Sequence, residues 1–220
     1  MKIKERGNKK NPSQMRGIFL GILPKIRTIH SMIYIFGAAF DPPHVGHSAI
    51  IRALLHYKNP EKIVLIPSSK RNDKSYHVND EHRLAMLQIF VSEIGDERVI
   101  IDDYFIKNWE GEMITRDVDI YAREKYSEDI VHVFGTDTIF SMPEWDSEHY
   151  ALKKIQKLFI PRNIEQSFTS DIFDKYGVEN YELFTDSHIP DVSSTEIRKI
   201  IPENTALKTL FEENPKFIIK

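Results

Sequence analysis

The sequence predicts an α/β fold: a doubly wound, Rossmann-like parallel sheet in a single domain. Three observations carry this. Short apolar runs end at turn-forming residues, namely Met32 to Phe36, Lys62 to Ile66, Arg98 to Ile101, Ile130 to Phe134 and Lys157 to Ile160. The runs are continuous rather than alternating, as in strands buried on both faces. Stretches with helical spacing separate them, and that order implies right-handed βαβ units and a parallel sheet.

Bulk properties narrow the classes. A chain of 220 residues suits one α/β domain with a sizeable core. A net charge of −3 and a pI near 6.3 argue against a general nucleic-acid binder, which would be basic. The absence of cysteine excludes a disulfide framework and fits a reducing compartment, so the expected location is cytoplasmic. No apolar run approaches the ~20 residues that a membrane span requires.

Residues 1–31 differ from the rest. They carry eight Lys/Arg against Glu5, a net +7, which leaves −10 on the remainder of a chain totalling −3. Gly7 to Ser13 reads as a polar arm, and Gly17 to Leu23 as a brief apolar patch ended by Pro24. A signal peptide would need a small-residue cleavage site, and a transit segment more serine. Because Met32 directly precedes the first strand, the favoured reading is a start assigned too early. The arm receives no function, and the domain is expected to span 32–220.

The first strand leads into the most informative stretch, Phe36-Gly37-Ala38-Ala39-Phe40-Asp41-Pro42-Pro43-His44-Val45-Gly46-His47. Two prolines stiffen the turn. From Gly46, the residues Ile50, Ile51, Leu54 and Leu55 recur at helical spacing. A small-residue loop at a strand's carboxyl end, followed by a helix start, is where open α/β sheets bind ligands. Backbone N–H groups there suit a phosphate, and two imidazoles add donors that can become cationic near neutral pH. His-x-x-His is also a metal-pair spacing, but there is no cysteine and no obvious third ligand nearby.

The second strand, Lys62 to Ile66, closes at Pro67 and leads to a polar loop with Lys70, Arg71, Lys74 and His77. Asn79 or Asp80 caps the next helix, whose apolar residues run from Leu84 to Val91. A helix is expected from Thr115 to about Tyr126. The fourth strand opens directly on Gly135-Thr136-Asp137-Thr138, and Trp145 follows eight residues after Asp137. The fifth strand ends at Pro161-Arg162. Near the end, Asp191-Val192-Ser193-Ser194-Thr195-Glu196-Ile197-Arg198 places a capping box at Ser193 and Glu196, with Arg198 one turn in. Neither Gly-x-Gly-x-x-Gly nor Gly-x-x-x-x-Gly-Lys-Ser/Thr is present, which disfavours dinucleotide dehydrogenases and P-loop NTPases.

The Phe36–His47 stretch resembles the signature of the nucleotidyltransferase superfamily with the His-x-Gly-His motif. The nicotinate/nicotinamide mononucleotide adenylyltransferases are the branch it resembles most. Ala38 and Ala39 stand where that pattern has a second glycine and a Ser or Thr. The Ser193–Arg198 stretch is similar to the family's Ser-Ser-Thr-x-x-Arg motif, and Gly135-Thr136-Asp137 to its Gly-x-Asp. Ile114 and Val118 depart from its Tyr-Thr-x-x-Thr, and Ile160-Pro161-Arg162 from its Arg-Pro-Gly.

The resemblance implies adenylyl transfer from ATP to a pyridine mononucleotide in NAD biosynthesis. His44, His47 and Arg198 would be catalytic. Gly37, Ala38, Ala39, Phe40, Gly46, Gly135, Asp137, Ser193, Ser194 and Thr195 would join them around ATP. Lys70, Arg83, Thr115, Trp145 and Arg162 would face the mononucleotide. Mg²⁺ would arrive on the ATP phosphates, with no protein metal site. The implied partners are ATP and a mononucleotide, without nucleic acid or membrane, and a homo-oligomer is compatible. Two alternatives remain: another acceptor within the superfamily, such as phosphopantetheine or a sugar phosphate, and a non-catalytic nucleotide-binding module.

Overall fold

In the computed structural model, residues 32–70, 76–161, 170–184 and 189–203 are described. The N-terminal stretch 1–31, Arg71, Lys74, Arg162 and the segment after 203 lie outside the described residues. The chain separates into two units, Met1–His30 and Ser31–Lys220, and every described residue belongs to the second.

β1 (Ile33–Ala38) is central because its first four residues are buried on both faces of the sheet. It pairs in parallel with β2 (Lys62–Pro67) on one side and β4 (Ile130–Gly135) on the other. β3 (Val99–Ile101) extends the sheet beyond β2, and β5 (Lys157–Ile160) and β6 (Tyr181–Leu183) extend it beyond β4. The strand order is β3-β2-β1-β4-β5-β6, all parallel. Order therefore reverses between β1 and β4. Chain connections leave those two carboxyl ends in opposite directions and open a crevice there.

The helices cover both faces. α1 (Val45–Ala53) runs on into a π-helical turn, Leu54–Lys58, that ends at left-handed Asn59. With α2 (Asp80–Ile94) it buries Ile51, Leu54, Leu87 and Phe90 against one face of β1 and β2. On the other face, α3 (Tyr104–Asn108) and α4 (Thr115–Lys125) pack Phe105, Val118 and Ala122 on Ile33, Ile35, Val64 and Ile66. A third cluster joins the 3₁₀ turns Thr136–Phe140 and Met142–Glu144, α5 (Tyr150–Lys153) and α6 (Ser170–Lys175) around Phe159 and Phe173. Burying one such side chain is worth about 1.5–3 kcal/mol. α7 (Ser194–Glu203) follows β6.

The expected strands are all present. The sequence reading omitted β6, α3, α5 and α6, which are three, five, four and six residues long and too short for a periodic signal.

Candidate active site

The turn after β1 is tight. Phe40 takes a left-handed backbone (φ 48°) and Asp41–Pro42 is a cis peptide. A non-glycine residue tolerates that φ only if its surroundings hold it. Here the Phe40 ring is fully buried, 5.0 Å from the ring of His47 and 5.8 Å from Phe36.

The two motif histidines cap α1 reciprocally. His44 is the N-cap, and its Nδ1 accepts the Gly46 amide at 3.2 Å. The His44 amide donates to Nδ1 of His47, also at 3.2 Å. This is a capping box built from imidazoles rather than from hydroxyl and carboxyl groups. The rings lie 3.8 Å apart, and both residues are buried. An Nδ1 that accepts a hydrogen bond is unprotonated, so each ring carries its proton on Nε2. In this arrangement Nε2 is the nitrogen each ring has left to offer as a donor. Gly46 is set by close approach. A Cβ there would lie 3.0 Å from the His44 ring and 3.4 Å from the Val192 carbonyl oxygen.

The Ser193–Arg198 motif returns to this turn from the far end of the chain. Glu196 N–H donates to Ser193 Oγ at 3.2 Å, while Ser193 N–H and Oγ–H donate to the Glu196 carboxylate, each at 3.0 Å. The expected capping box is therefore formed. Ser194 Oγ donates to the Pro42 carbonyl at 2.9 Å, and Arg198 donates to the Asp41 carbonyl at 2.5 Å and to Thr195 Oγ1 at 3.1 Å. The amino end of α7 is thus stapled beside the amino end of α1. A helix amino end is a place where free N–H groups can meet an anion, and here two such ends lie side by side.

Next to them, Gly37, Ala38 and Ala39 line a cleft of about 110 Å³ whose other walls include Thr115, His132, Phe134 and Trp145. Trp145 and Thr115 also border an adjoining pocket of about 240 Å³, with Glu112, Ser141 and Glu144. Trp145 is half-buried and packs on Phe134, with ring centroids 5.6 Å apart. Gly135 ends β4. Asp137 sits exposed on the 3₁₀ turn beyond it, while Thr138 Oγ1 donates back to the Gly135 carbonyl at 2.7 Å. The Lys70 side chain is exposed and its carbonyl accepts the Met113 amide at 3.0 Å.

Arg83 corrects an expectation. It was assigned to the mononucleotide, but its side chain is fully buried and turns inward. Its guanidinium donates to the carbonyls of Ala39 and Ser68 and to Asp80, each at 2.7 Å, and stacks 3.9 Å over the Tyr76 ring. Arg83 therefore braces the turns after β1 and β2 from behind. The sequence also missed His132 and Asp119, a buried pair whose only signal was a polar residue inside an apolar strand.

A paired helix-end site at a topological switch point, flanked by an aromatic cleft, defines a nucleotide-handling α/β protein of the nucleotidyltransferase class. The chain belongs to the cytidylyltransferase-like family, whose profile matches residues 35–200. It is 25% identical over 179 residues to a probable nicotinate-nucleotide adenylyltransferase of Caldicellulosiruptor saccharolyticus, covering 80% of this chain and 89% of that protein. It is 27% identical to a probable nicotinate-nucleotide adenylyltransferase of Clostridium tetani, covering 84% and 94%. Its fold is similar to that of Plasmodium falciparum nicotinic acid mononucleotide adenylyltransferase complexed with NaAD. That likeness has a TM-score of 0.69 at 21% identity, over 86% of this chain and 98% of the other. Among the described residues, no helix is long and apolar enough to cross a membrane.

Proposed function

We propose that this protein transfers the adenylyl group of ATP to a pyridine mononucleotide and releases pyrophosphate, a step in NAD biosynthesis. A phosphate oxygen of the mononucleotide attacks the α-phosphorus of ATP. A new P–O bond forms there, the bond to the bridging oxygen breaks, and its electron pair leaves with pyrophosphate. No protein nucleophile takes part.

The observation that carries this reading is the staple between the two motifs. It brings Ser193, Ser194, Thr195 and Arg198 to the turn that holds His44 and His47. In this reading the α7 end and Arg198 hold the β- and γ-phosphates. His44 and His47 donate to oxygens on which charge grows as the bond breaks. Positioning and fixed donors of this kind supply most of the acceleration in phosphoryl-type transfers. Gly37 to Phe40 lets the triphosphate approach the backbone, and Asp137 accepts from the ribose. Trp145 and Thr115 enclose the mononucleotide, with Lys70 and Arg162 as cations for its phosphate. The names of the relatives point to the same chemistry.

Mg²⁺ would enter bound to ATP and would supply positive charge to the phosphates, with no protein carboxylate assigned to hold it. Among the described residues no group of three or more His, Asp or Glu could hold an ion. The chain's lack of cysteine suits the cytoplasm.

The test is pyrophosphate release from Mg-ATP with nicotinate mononucleotide, nicotinamide mononucleotide and phosphopantetheine offered separately. Release with a pyridine mononucleotide is expected. Release only with phosphopantetheine would mean another acceptor. Silence with all three, from protein that still binds ATP, would mean a binding role.

A further inference from the structure

The cleft beside Trp145 has two walls. One is α4, which brings Thr115 and Val118, and the other is the segment that carries Trp145 into α5. A buried carboxylate ties them together. Asp119 on α4 is 1% exposed, and its Oδ2 accepts from Tyr150 OH on α5 at 2.9 Å. The same oxygen accepts from Arg123 Nε at 2.9 Å, and Oδ1 lies 2.9 Å from His132 Nε2 on β4. Arg123 reaches on to the Glu128 carbonyl at 2.6 Å, just before that strand. Groups from α4, β4 and α5 thus hold one carboxylate.

Each end of the tie is stiff. Thr115 and Asp119 are four residues apart, so they share a face of α4 about one turn from each other. On the opposite wall, the run from Met142 to Tyr150 closes on itself. Trp145 N–H donates to the Met142 carbonyl at 3.2 Å, and Asp146 Oδ1 accepts the amides of Glu148 at 3.1 Å and Tyr150 at 2.9 Å. A displacement of Tyr150 is therefore passed to Trp145. Burial alone would raise the Asp119 carboxyl, but hydrogen bonds from His132 and Arg123 outweigh it and hold the group at about 2. Burial and the bond to Asp119 raise the Tyr150 hydroxyl, so the tie remains O–H to carboxylate at working pH. A second pair between the same walls, Arg116 and Glu148 at 3.5 Å, is exposed and too long to fix their spacing.

Such a network is costly in an apolar setting, where leucine and phenylalanine would pack as well. What it adds is a set distance, because a hydrogen bond fixes length and direction where apolar contacts can slide. We propose that Asp119 and Tyr150 are positioning residues, whose hydrogen bond sets the gap between Thr115 and Trp145 into which the flat ring of the acceptor fits. This rests on the adenylyl transfer proposed above. Neither residue is among those that line the cleft or its adjoining pocket, so they act through the walls. A misplaced ring carries the attacking phosphate oxygen off line. Use of the acceptor then suffers, while ATP, held at the amino ends of α1 and α7 in that reading, does not.

The experiment compares the wild type with Tyr150→Phe, which removes one oxygen and keeps the ring, and with Asp119→Asn. In Tyr150→Phe the KM for the pyridine mononucleotide should rise about three- to thirty-fold, with the KM for ATP unchanged. The double variant should lose less than the two single ones combined, as expected of groups that act through one bond. In a Trp109→Phe background Trp145 is the sole tryptophan, and its fluorescence anisotropy should fall when Tyr150→Phe is added. Should Asp119→Asn fail to fold, Tyr150→Phe alone decides. A merely structural tie would lower the melting temperature and leave the two KM values in their wild-type ratio. That result, or an unchanged anisotropy, overturns the assignment while adenylyl transfer stands. A wild type that turns over no pyridine mononucleotide overturns both readings.

Discussion

Arg198 donates to the backbone carbonyl of Asp41 at 2.5 Å, across 157 positions of sequence. This contact and the Ser194–Pro42 bond beside it join the amino ends of α1 and α7 at the candidate site. Arg198 holds α7 down and, in the proposed mechanism, also brings positive charge to ATP, whereas Ser194 does mainly the first. Arg198→Ala should therefore cut turnover by about a hundred-fold or more, by analogy with losing a preorganised donor. Ser194→Ala should raise the KM for ATP several-fold with a smaller effect on kcat. Steady-state kinetics with Mg-ATP separates the two, and equal kcat values would refute the division of labour.

His47 serves the fold through Nδ1 and, in the proposed mechanism, the chemistry through Nε2. His47→Ala loses both, whereas an asparagine carries an oxygen able to accept the His44 amide. His47→Asn should therefore melt closer to the wild type than His47→Ala, which loses a cap worth about 1 kcal/mol. Both should fall by a factor of hundreds or more in turnover.

Gly46→Ala would place a methyl 3.0 Å from the His44 ring. The ring must move, and with it the Nε2 that the proposed mechanism aims at the phosphates. The expected result is a loss of turnover far larger than the loss of stability, measured by pyrophosphate release and thermal melting on one preparation.

Arg83 offers the opposite pattern. Replacing it by methionine orphans the carbonyls of Ala39 and Ser68 and removes the stacking on Tyr76. Leaving buried polar partners unpaired costs about 1–3 kcal/mol each. Arg83→Met should thus lower the melting temperature markedly, and both KM values should drift together. A selective rise in the mononucleotide KM at unchanged stability would restore Arg83 to the substrate.

Lys157 is fully buried at the start of β5, where Nζ donates to the carbonyls of Leu152 at 3.1 Å and Ile155 at 2.7 Å. Burial pushes its pKa down to about 8 from the usual 10.5. Between those values the unfolded chain holds a proton that the native chain has lost, so stability rises with pH across that window. The gain is on the order of 3 kcal/mol. Denaturant unfolding between pH 7 and 10.5 should show it, and Lys157→Met should flatten it.

The five longer runs were legible as strands because each is apolar throughout and closed by a turn residue. β6 was not, since Tyr181 and Leu183 are only half-buried at the sheet edge and Glu182 is exposed. The site's glycine and serines were legible for similar reasons, being tied to a local turn or cap. Side-chain direction was not. Nothing in the order Asp80-Glu81-His82-Arg83 says that the arginine turns inward to carbonyls from two other strands' turns. Nor does Val131-His132-Val133 reveal that its partner lies 13 residues earlier on α4. Which imidazole nitrogen holds the proton also depends on backbone groups that only the folded turn brings into place.

The staple also dates the enzyme's activation. Translation completes β6 at Leu183 before Ser193 to Arg198 exist, so a nascent chain can contain every strand and both histidines yet lack one arm of its phosphate grip. If the proposed phosphate grip is right, catalytic competence cannot precede α7. Prematurely ended chains would be born with the whole sheet and without the activity.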